Sequence, residues 1–105
     1  MPKKVWKARA GGLYIHFENT WNFRLQIRET LTVNGAIVSD SRKEHCDSFK
    51  DLVTGQHAVV FCDNGMDYHV LVKCGSKWPG IFLGCHIFVN GELIGGDTKC
   101  RLMFA

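Results

Sequence analysis

Histidine and cysteine are the residue types in this chain that could hold a metal ion or attack a substrate. His45-Cys46 places a thiol directly beside a base in the sequence. Adjacent side chains point in different directions in a strand or a helix, so adjacency alone is poor support for a nucleophile and its base. Zinc ligands usually occur in pairs two to four residues apart, and no second pair accompanies His45-Cys46. We therefore predict no metal site, and we interpret the other histidines as ordinary strand or loop residues: His57, His69 and His86.

Other catalytic signatures are missing from the sequence. It contains no G-x-S-x-G nucleophile motif, no phosphate-binding P-loop and no dinucleotide fingerprint. The carboxylates stand mainly in predicted turns or in a polar segment in the middle of the chain, where Asp side chains commonly hydrogen-bond their own backbone. The sequence therefore predicts a protein that is not an enzyme and that uses no cofactor.

Aromatic and arginine side chains give the best indication of a binding surface. Trp21 falls in a predicted turn and Trp78 in a predicted loop, where a large apolar side chain either covers the core or meets a partner. A polar face of the predicted sheet carries a second set, Tyr14, Arg24 and Arg28. Aromatic rings and arginines on an open sheet can stack on bases and reach phosphates. These five residues are the candidate binding residues.

Two pairs of segments that could hold such side chains in place are similar to each other. LTVNGAIV at 31–38 matches IFVNGELI at 87–94, and FENTWNFRLQI at 17–27 matches FCDNGMDYHVLV at 61–72. Asn-Gly between alternating apolar residues is the strongest local indication of a two-residue hairpin. The repeat therefore predicts an all-β protein of two similar halves, with hairpins at Asn34-Gly35 and Asn90-Gly91.

Alternation of apolar and polar residues around these turns predicts the strands. Leu13, Ile15 and Phe17 have the period of two that is typical of half-exposed antiparallel strands. Residues 81–89 form another predicted strand, and the apolar tail at 100–104 is expected to close an edge. Short strands separated by turns about every 8 to 12 residues predict an antiparallel β-sandwich of about eight strands, with a partly open β-barrel as the alternative.

The 105 residues fit a single domain, 1–105. We expect the basic segment 1–11 to be a flexible N-terminal arm and the polar segment 39–50 to link the halves, with a short helical turn beginning there. Five cysteines without a C-x-x-C pair are interpreted as reduced thiols, so no disulfide is predicted. Because no apolar run approaches roughly 20 residues and no secretory signal opens the chain, we expect a cytoplasmic protein.

The layout of the strands resembles that of a known family. The run LYIHFENTWNFRLQI, followed by TVNG and then GQHAVVFCDNGMDYHVLVKCGSKWPGIFLGCHIFVNGELI, resembles the order of strands and turns in the β-sandwich domains of the fas apoptosis inhibitory molecule family. The resemblance covers residues 12–95. That family has two such domains in tandem, whereas this chain has one. The resemblance implies a non-enzymatic cytoplasmic interaction protein and transfers no site residue.

Three functions remain open on the sequence alone. The leading one is a non-catalytic protein-interaction or self-associating module, expected to form a homodimer through the C-terminal strand or the Trp78 loop, because exposed strand edges are commonly paired. The second is a small-ligand-binding domain with a pocket between or beside the sheets, near Trp78, Tyr68 or His86. The third is a weak single-stranded nucleic-acid binder that uses the basic arm with Arg24 and Arg28. No membrane partner is expected.

Overall fold

The computed structural model describes residues 3–22, 24, 26–44, 53–77 and 82–103, which form two antiparallel sheets. Sheet A is a meander of β1 (Lys3–Ala10), β2 (Leu13–Trp21), β3 (Ile27–Val33) and β4 (Ala36–Lys43). Sheet B has the same neighbour-to-neighbour order over β5 (Gly55–Asp63), β6 (Met66–Lys77), β7 (Phe82–Val89) and β8 (Glu92–Gly96). A short β9 (Leu102–Met103) pairs with β6. The predicted antiparallel β-sandwich of two similar halves is confirmed.

Three two-residue Asn-Gly turns connect consecutive strands. Asn34, Asn64 and Asn90 each have a φ of 51°, the left-handed conformation that a type I′ turn requires, and the glycine after each has a φ of 77–84°. Two of these asparagines also hold the neighbouring strand. The backbone N–H of Tyr14 donates to Asn34 Oδ1 at 2.7 Å, and that of His69 donates to Asn90 Oδ1 at 2.9 Å. The two predicted hairpins are confirmed.

The repeat of the V-N-G segments is structural. The β3–β4 and β7–β8 hairpins have the same shift of register, at Leu31/Thr32 in one and at Ile87/Phe88 in the other. This correspondence makes β2 the counterpart of β6. The second expected match, 17–27 with 61–72, fails as a structural equivalence because it aligns the β2–β3 hairpin with the β5–β6 hairpin, which stand at different places in their meanders.

The core lies between the sheets, where alternate residues of both face inward. The largest apolar side chains in it that are fully buried are Phe17, Leu13, Ile15, Leu31, Ile87, Val33, Val70 and Val72. β1 packs against β8 along one side of the sandwich, and β4 lies beside β5 along the other. A Cβ added to Gly95 would stand 2.5 Å from the Cβ of Ala8, so glycine allows β8 to approach β1.

Two expected segments are corrected. Lys3–Ala10, expected to be part of a flexible arm, is strand β1: the Trp6 side chain is 8% exposed and its Nε1 donates to Asp97 Oδ2 at 3.0 Å. The first residues of the expected linker belong to β4, which continues to Lys43, and 45–50, with the expected helical turn, lie outside the described residues. The predicted strand in the C-terminal tail is present as β9, although residue 104 is also outside them.

Candidate functional site

β5 is an edge strand of sheet B that carries no acidic or basic side chain other than a histidine between Gly55 and Asp63. It pairs with β6 along its whole length, without a bulge. The two-residue turn at Asn64-Gly65 makes Asp63 and Met66 a hydrogen-bonded pair, and hydrogen-bonded and non-hydrogen-bonded pairs then alternate along the ladder. Four residues of β5 therefore direct their backbone N–H and C=O groups away from β6: Gln56, Ala58, Val60 and Cys62.

The side chains of the same four residues lie on the solvent-facing side of sheet B. All four are exposed, and the Val60 side chain has 60% of its surface accessible. An open cleft of about 380 Å³ runs beside them, bordered on the β6 side by His69 and Leu71. The β5 edge thus combines outward-pointing backbone groups with apolar surface, which is the combination through which a sheet recruits another strand.

The other sheet edges carry the protection that β5 lacks. β1 presents Lys3, Lys7 and Arg9 to solvent, and β4 carries charged residues from Asp40 to Lys43. β8 is five residues long and packs against β1. Charged side chains and short strands are two of the means by which proteins prevent edge-to-edge pairing. Within the part of the chain that the structure describes, β5 is the long edge without them.

The outer face of sheet A carries two of the predicted binding residues, Tyr14 and Arg28, at opposite ends of the sheet. Tyr14 is 38% exposed, and the guanidinium carbon of Arg9 is 5.3 Å from the centre of its ring. Arg28 donates two hydrogen bonds to Asp40, at 3.2 and 2.9 Å. These bonds lower the pKa of the Asp40 carboxyl and raise that of the guanidinium, so the pair remains charged.

The remaining predicted binding residues do not join this face. Arg24 is exposed in the β2–β3 turn, where its backbone N–H donates to Asn22 Oδ1 at 2.9 Å. Trp21 is half-buried at the end of β2 and is paired with Ile27, a residue of the core side of the sheet. It therefore lies on the opposite side of sheet A from Tyr14. Trp78 lies outside the described residues.

A group of buried and half-buried polar side chains, which the sequence did not reveal, joins the two sheets beside β5. We call Asn19, Glu29, Ser39, Ser41 and His57 the polar cluster. The carboxylate of Glu29 is at its centre and accepts hydrogen bonds from Ser41 Oγ and Asn19 Nδ2, both at 3.3 Å. His57 Nε2 lies 3.3 Å from Glu29 Oε1, and His57 Nδ1 lies 2.6 Å from Ser39 Oγ. The side chains of Glu29 and His57 are only 3% and 2% exposed.

Ser39, His57 and Glu29 have the order of groups found in a nucleophile, base and acid series. With its proton on Nε2, His57 donates to Glu29, and its Nδ1 accepts the hydrogen bond of the Ser39 hydroxyl. A substrate would have to reach a ring that is almost completely enclosed by the sandwich. The burial therefore favours a structural role, in which the polar cluster ties β5 of sheet B to β3 and β4 of sheet A.

The described cysteines are four free thiols, Cys62, Cys74, Cys85 and Cys100. Cys74 and Cys85 are opposite each other on β6 and β7 and are both fully buried. Burial raises the pKa of both thiols; Glu29 adds to the rise at Cys74, and Asp97 adds to it at Cys85. Because the thiolate is the reactive form of cysteine, these two residues are chemically protected in the folded protein.

A short pulse of iodoacetamide on the native protein is expected to alkylate the exposed Cys62 and to leave Cys74 and Cys85 unmodified. Peptide mass spectrometry measures the modified fraction at each position. The same pulse in guanidinium chloride is the control and should modify all three residues. Labelling of Cys74 or Cys85 in the native protein at the rate of Cys62 would contradict the protection.

Comparison of the chain with protein-family models, with curated proteins and with solved structures finds no match. Within the described ranges, no three His, Cys, Asp or Glu side chains are grouped so that they could hold a metal ion. Those ranges also contain no helix with the length and hydropathy needed to cross a membrane.

Proposed function

We propose that this protein is a non-catalytic interaction module that associates with a second copy of itself through β5. The observation that carries the proposal is the long uncharged edge, whose outward backbone groups and exposed side chains belong to the same residues. Unprotected edges are paired in stable proteins, and a two-fold dimer satisfies two identical edges at once. The sequence resemblance to the fas apoptosis inhibitory molecule family would imply the same class of function.

A two-fold axis at Val59 gives the register of this contact. It places Ala58 opposite Val60 of the second copy and Gln56 opposite Cys62 of the second copy, so each residue with outward backbone groups meets another such residue. Asp63 then stands opposite Gly55 of the second copy, and no like charges face each other. Sheet B of one copy would continue into sheet B of the other over about 30 Å, the length of a nine-residue strand.

The polar cluster supports this proposal because it fixes β5 before a partner arrives. His57 points inward and is held by Glu29 and Ser39, while the residues on either side of it, Gln56 and Ala58, face outward. An edge strand held in this way loses little further conformational freedom when another strand pairs with it. Preorganisation of this kind increases affinity without adding contacts.

The proposed contact differs from the one expected from the sequence. The C-terminal strand is already paired within its own chain, since Leu102 and Met103 are paired with Lys77 and Ser76 of β6. The expected Trp78 loop lies outside the described residues. We propose a cytoplasmic location, because the free thiols of the described residues suit a reducing compartment.

Val60→Lys is expected to convert the dimer to a monomer, raising the dissociation constant at least about tenfold, because two apolar valines near the axis would be replaced by two lysines of like charge. Light scattering over a dilution series measures the change. Ile37→Lys is the matched control, since Ile37 is 64% exposed on β4 and gains the same charge. A wild-type protein that is monomeric at every concentration, or a dimer that both substitutions weaken equally, would contradict the proposal.

A further inference from the structure

Strand register arranges the outer face of sheet A in rows of residues that lie side by side on neighbouring strands. The row next to the β1–β2 turn holds Arg9 and Tyr14. The second row holds Lys7, His16, Thr32 and Ile37. The third row holds Val5, Glu18, Thr30 and Asp40. The fourth row holds Lys3, Thr20, Arg28 and Arg42.

The two carboxylates of this face stand in the third row, and each forms an ion pair with a cation of the fourth row. Lys3 Nζ lies 3.5 Å from Glu18, and Arg28 Nη2 lies 2.9 Å from Asp40. Five Lys or Arg against two carboxylates give the four rows a charge of +3 with histidine neutral. The whole protein also has a formal charge of +3, so this face carries a net charge equal to that of the whole chain and the remaining residues sum to zero.

The end of the face farthest from the β1–β2 turn forms an open cleft of about 350 Å³ with Arg28 and Arg42 in its lining. The two arginines are directly opposite each other on β3 and β4, and like charges in such positions repel. Asp40 neutralises Arg28, whereas Arg42 makes no ion pair with a carboxylate of the described chain. Thr20 and Asn22 add polar groups to the same lining, and the one carboxylate among its residues, Glu44, accepts a hydrogen bond from Gln26. Lys43 adds a further cation, so positive groups exceed negative ones in the cleft. The cleft therefore suits a phosphate.

The other end of the face combines positive charge with an aromatic ring. Lys7 and Arg9 form no ion pair within the described ranges, and Lys7 is paired across the strands with His16. The Tyr14 ring is 38% exposed beside the Arg9 guanidinium. An unpaired base can stack on such a ring while cations on either side contact its phosphates.

The two ends are separated by the six residues from Tyr14 to Thr20 along β2, a distance of about 20 Å in an extended strand. One phosphate cannot bridge them. A chain that offers a series of phosphates and an unpaired planar base can. We propose that the outer face of sheet A binds single-stranded nucleic acid, with phosphates at Arg42 and at Lys7 and Arg9 and with a base on Tyr14. This site is on the sheet opposite to β5, so it is independent of self-association.

Fluorescence anisotropy with a labelled oligothymidylate tests the proposal over a range of potassium chloride concentrations. Three or four phosphate contacts predict that the logarithm of affinity falls with the logarithm of salt with a slope of about −2 to −3. Between 50 and 200 mM salt the affinity should fall about 20- to 50-fold. A slope near zero, or no binding at the lowest salt concentration, would overturn the proposal.

Three substitutions separate local contacts from net charge. Arg42→Gln should make the slope shallower by about 0.7. Lys73→Gln on the outer face of sheet B removes the same charge and should leave the slope unchanged. Tyr14→Ala should weaken binding at least about fivefold with the slope retained, because it removes stacking and no phosphate contact. Thermal unfolding of each variant verifies that it is folded. If the Tyr14 variant does not fold, the comparison of Arg42→Gln with Lys73→Gln still tests the proposal, because both substitutions are at surface cations.

Three results would overturn the proposal even if the protein binds a polyanion. An equal change of slope for Lys73→Gln and Arg42→Gln would indicate attraction by net charge. A duplex of the same sequence bound as tightly as the single strand would exclude stacking on Tyr14. Binding to vesicles that contain phosphatidylserine, together with none to the oligonucleotide, would assign the face to a lipid surface.

Discussion

Replacing Glu29 with alanine is expected to lower the free energy of unfolding by about 3 to 5 kcal/mol, because each buried polar group that loses its partner costs about 1 to 3 kcal/mol. Its carboxylate accepts hydrogen bonds from Asn19 and Ser41 and lies 3.3 Å from His57 Nε2. After the substitution, these groups lose their shared acceptor inside the sandwich, which leaves buried donors unsatisfied. Urea denaturation at neutral pH, followed by tryptophan fluorescence, measures the change.

Glu18→Ala is the matched control, since Glu18 lies on β2 of the same sheet but faces outward. Its ion pair with Lys3 joins side chains that are 33% and 62% exposed, so its loss should cost less than about 1 kcal/mol. Equal effects of the two substitutions would contradict the role of the polar cluster in joining the sheets.

Gly55 provides a second test of the same cluster. A Cβ added to it would stand 2.6 and 2.7 Å from the two carboxylate oxygens of Glu29. Gly55→Ala should therefore lower the free energy of unfolding more in the protein that keeps Glu29 than in the Glu29→Ala variant. The difference is a coupling energy, which a double-mutant cycle measures directly.

Gly96→Ala is expected to destabilise the fold by about 2 to 5 kcal/mol, the sum of backbone strain and overpacking. Gly96 has a φ of +85°, and an added Cβ would overlap the Cys85 carbonyl oxygen and lie 3.2 Å from Cys85 Sγ. Gly91→Ala provides the comparison: its φ is +83°, but no atom lies within 4 Å of the added Cβ. Only the strain of about 1 to 2 kcal/mol is expected there.

Urea denaturation of the two variants separates strain from steric overlap. If both lose the same free energy of unfolding, the packing of Gly96 against Cys85 can relax and the close approach is not required. A larger loss for Gly96→Ala assigns the difference to the contact between the β8 end and β7.

The hairpins could be predicted because they depend on local chemistry. Asn34 and Asn90 adopt the positive φ that an Asn-Gly turn requires, whatever surrounds them. The lysines and arginine of β1 predict a flexible arm, yet Lys7 and Arg9 alternate with Trp6 and Ala8, which are buried. The pattern of an edge strand was present, with charge on the side that faces solvent and apolar residues on the other.

The polar cluster could not be predicted because its members are distant in sequence. Glu29 and His57 are 28 residues apart and on different sheets. The sequence pattern assigns Ser39 to a linker, because polar residues on the inner side of a strand resemble a loop. Burial of these side chains makes sense only when their partners are known. The unpaired position of β5 likewise depends on strand order, which the sequence pattern of alternating residues does not specify.

The meander order of both sheets also bears on how the chain folds. Each of the eight long strands hydrogen-bonds to the strand next to it in sequence, and three of the connections are two-residue Asn-Gly turns. The entropy lost in closing a loop rises with its length, so these hairpins can form early at small cost. The contact of β1 with β8 joins segments more than 80 residues apart. The topology therefore favours early formation of each meander from its local hairpins. Docking of the two meanders is then the late step that sets the folding rate.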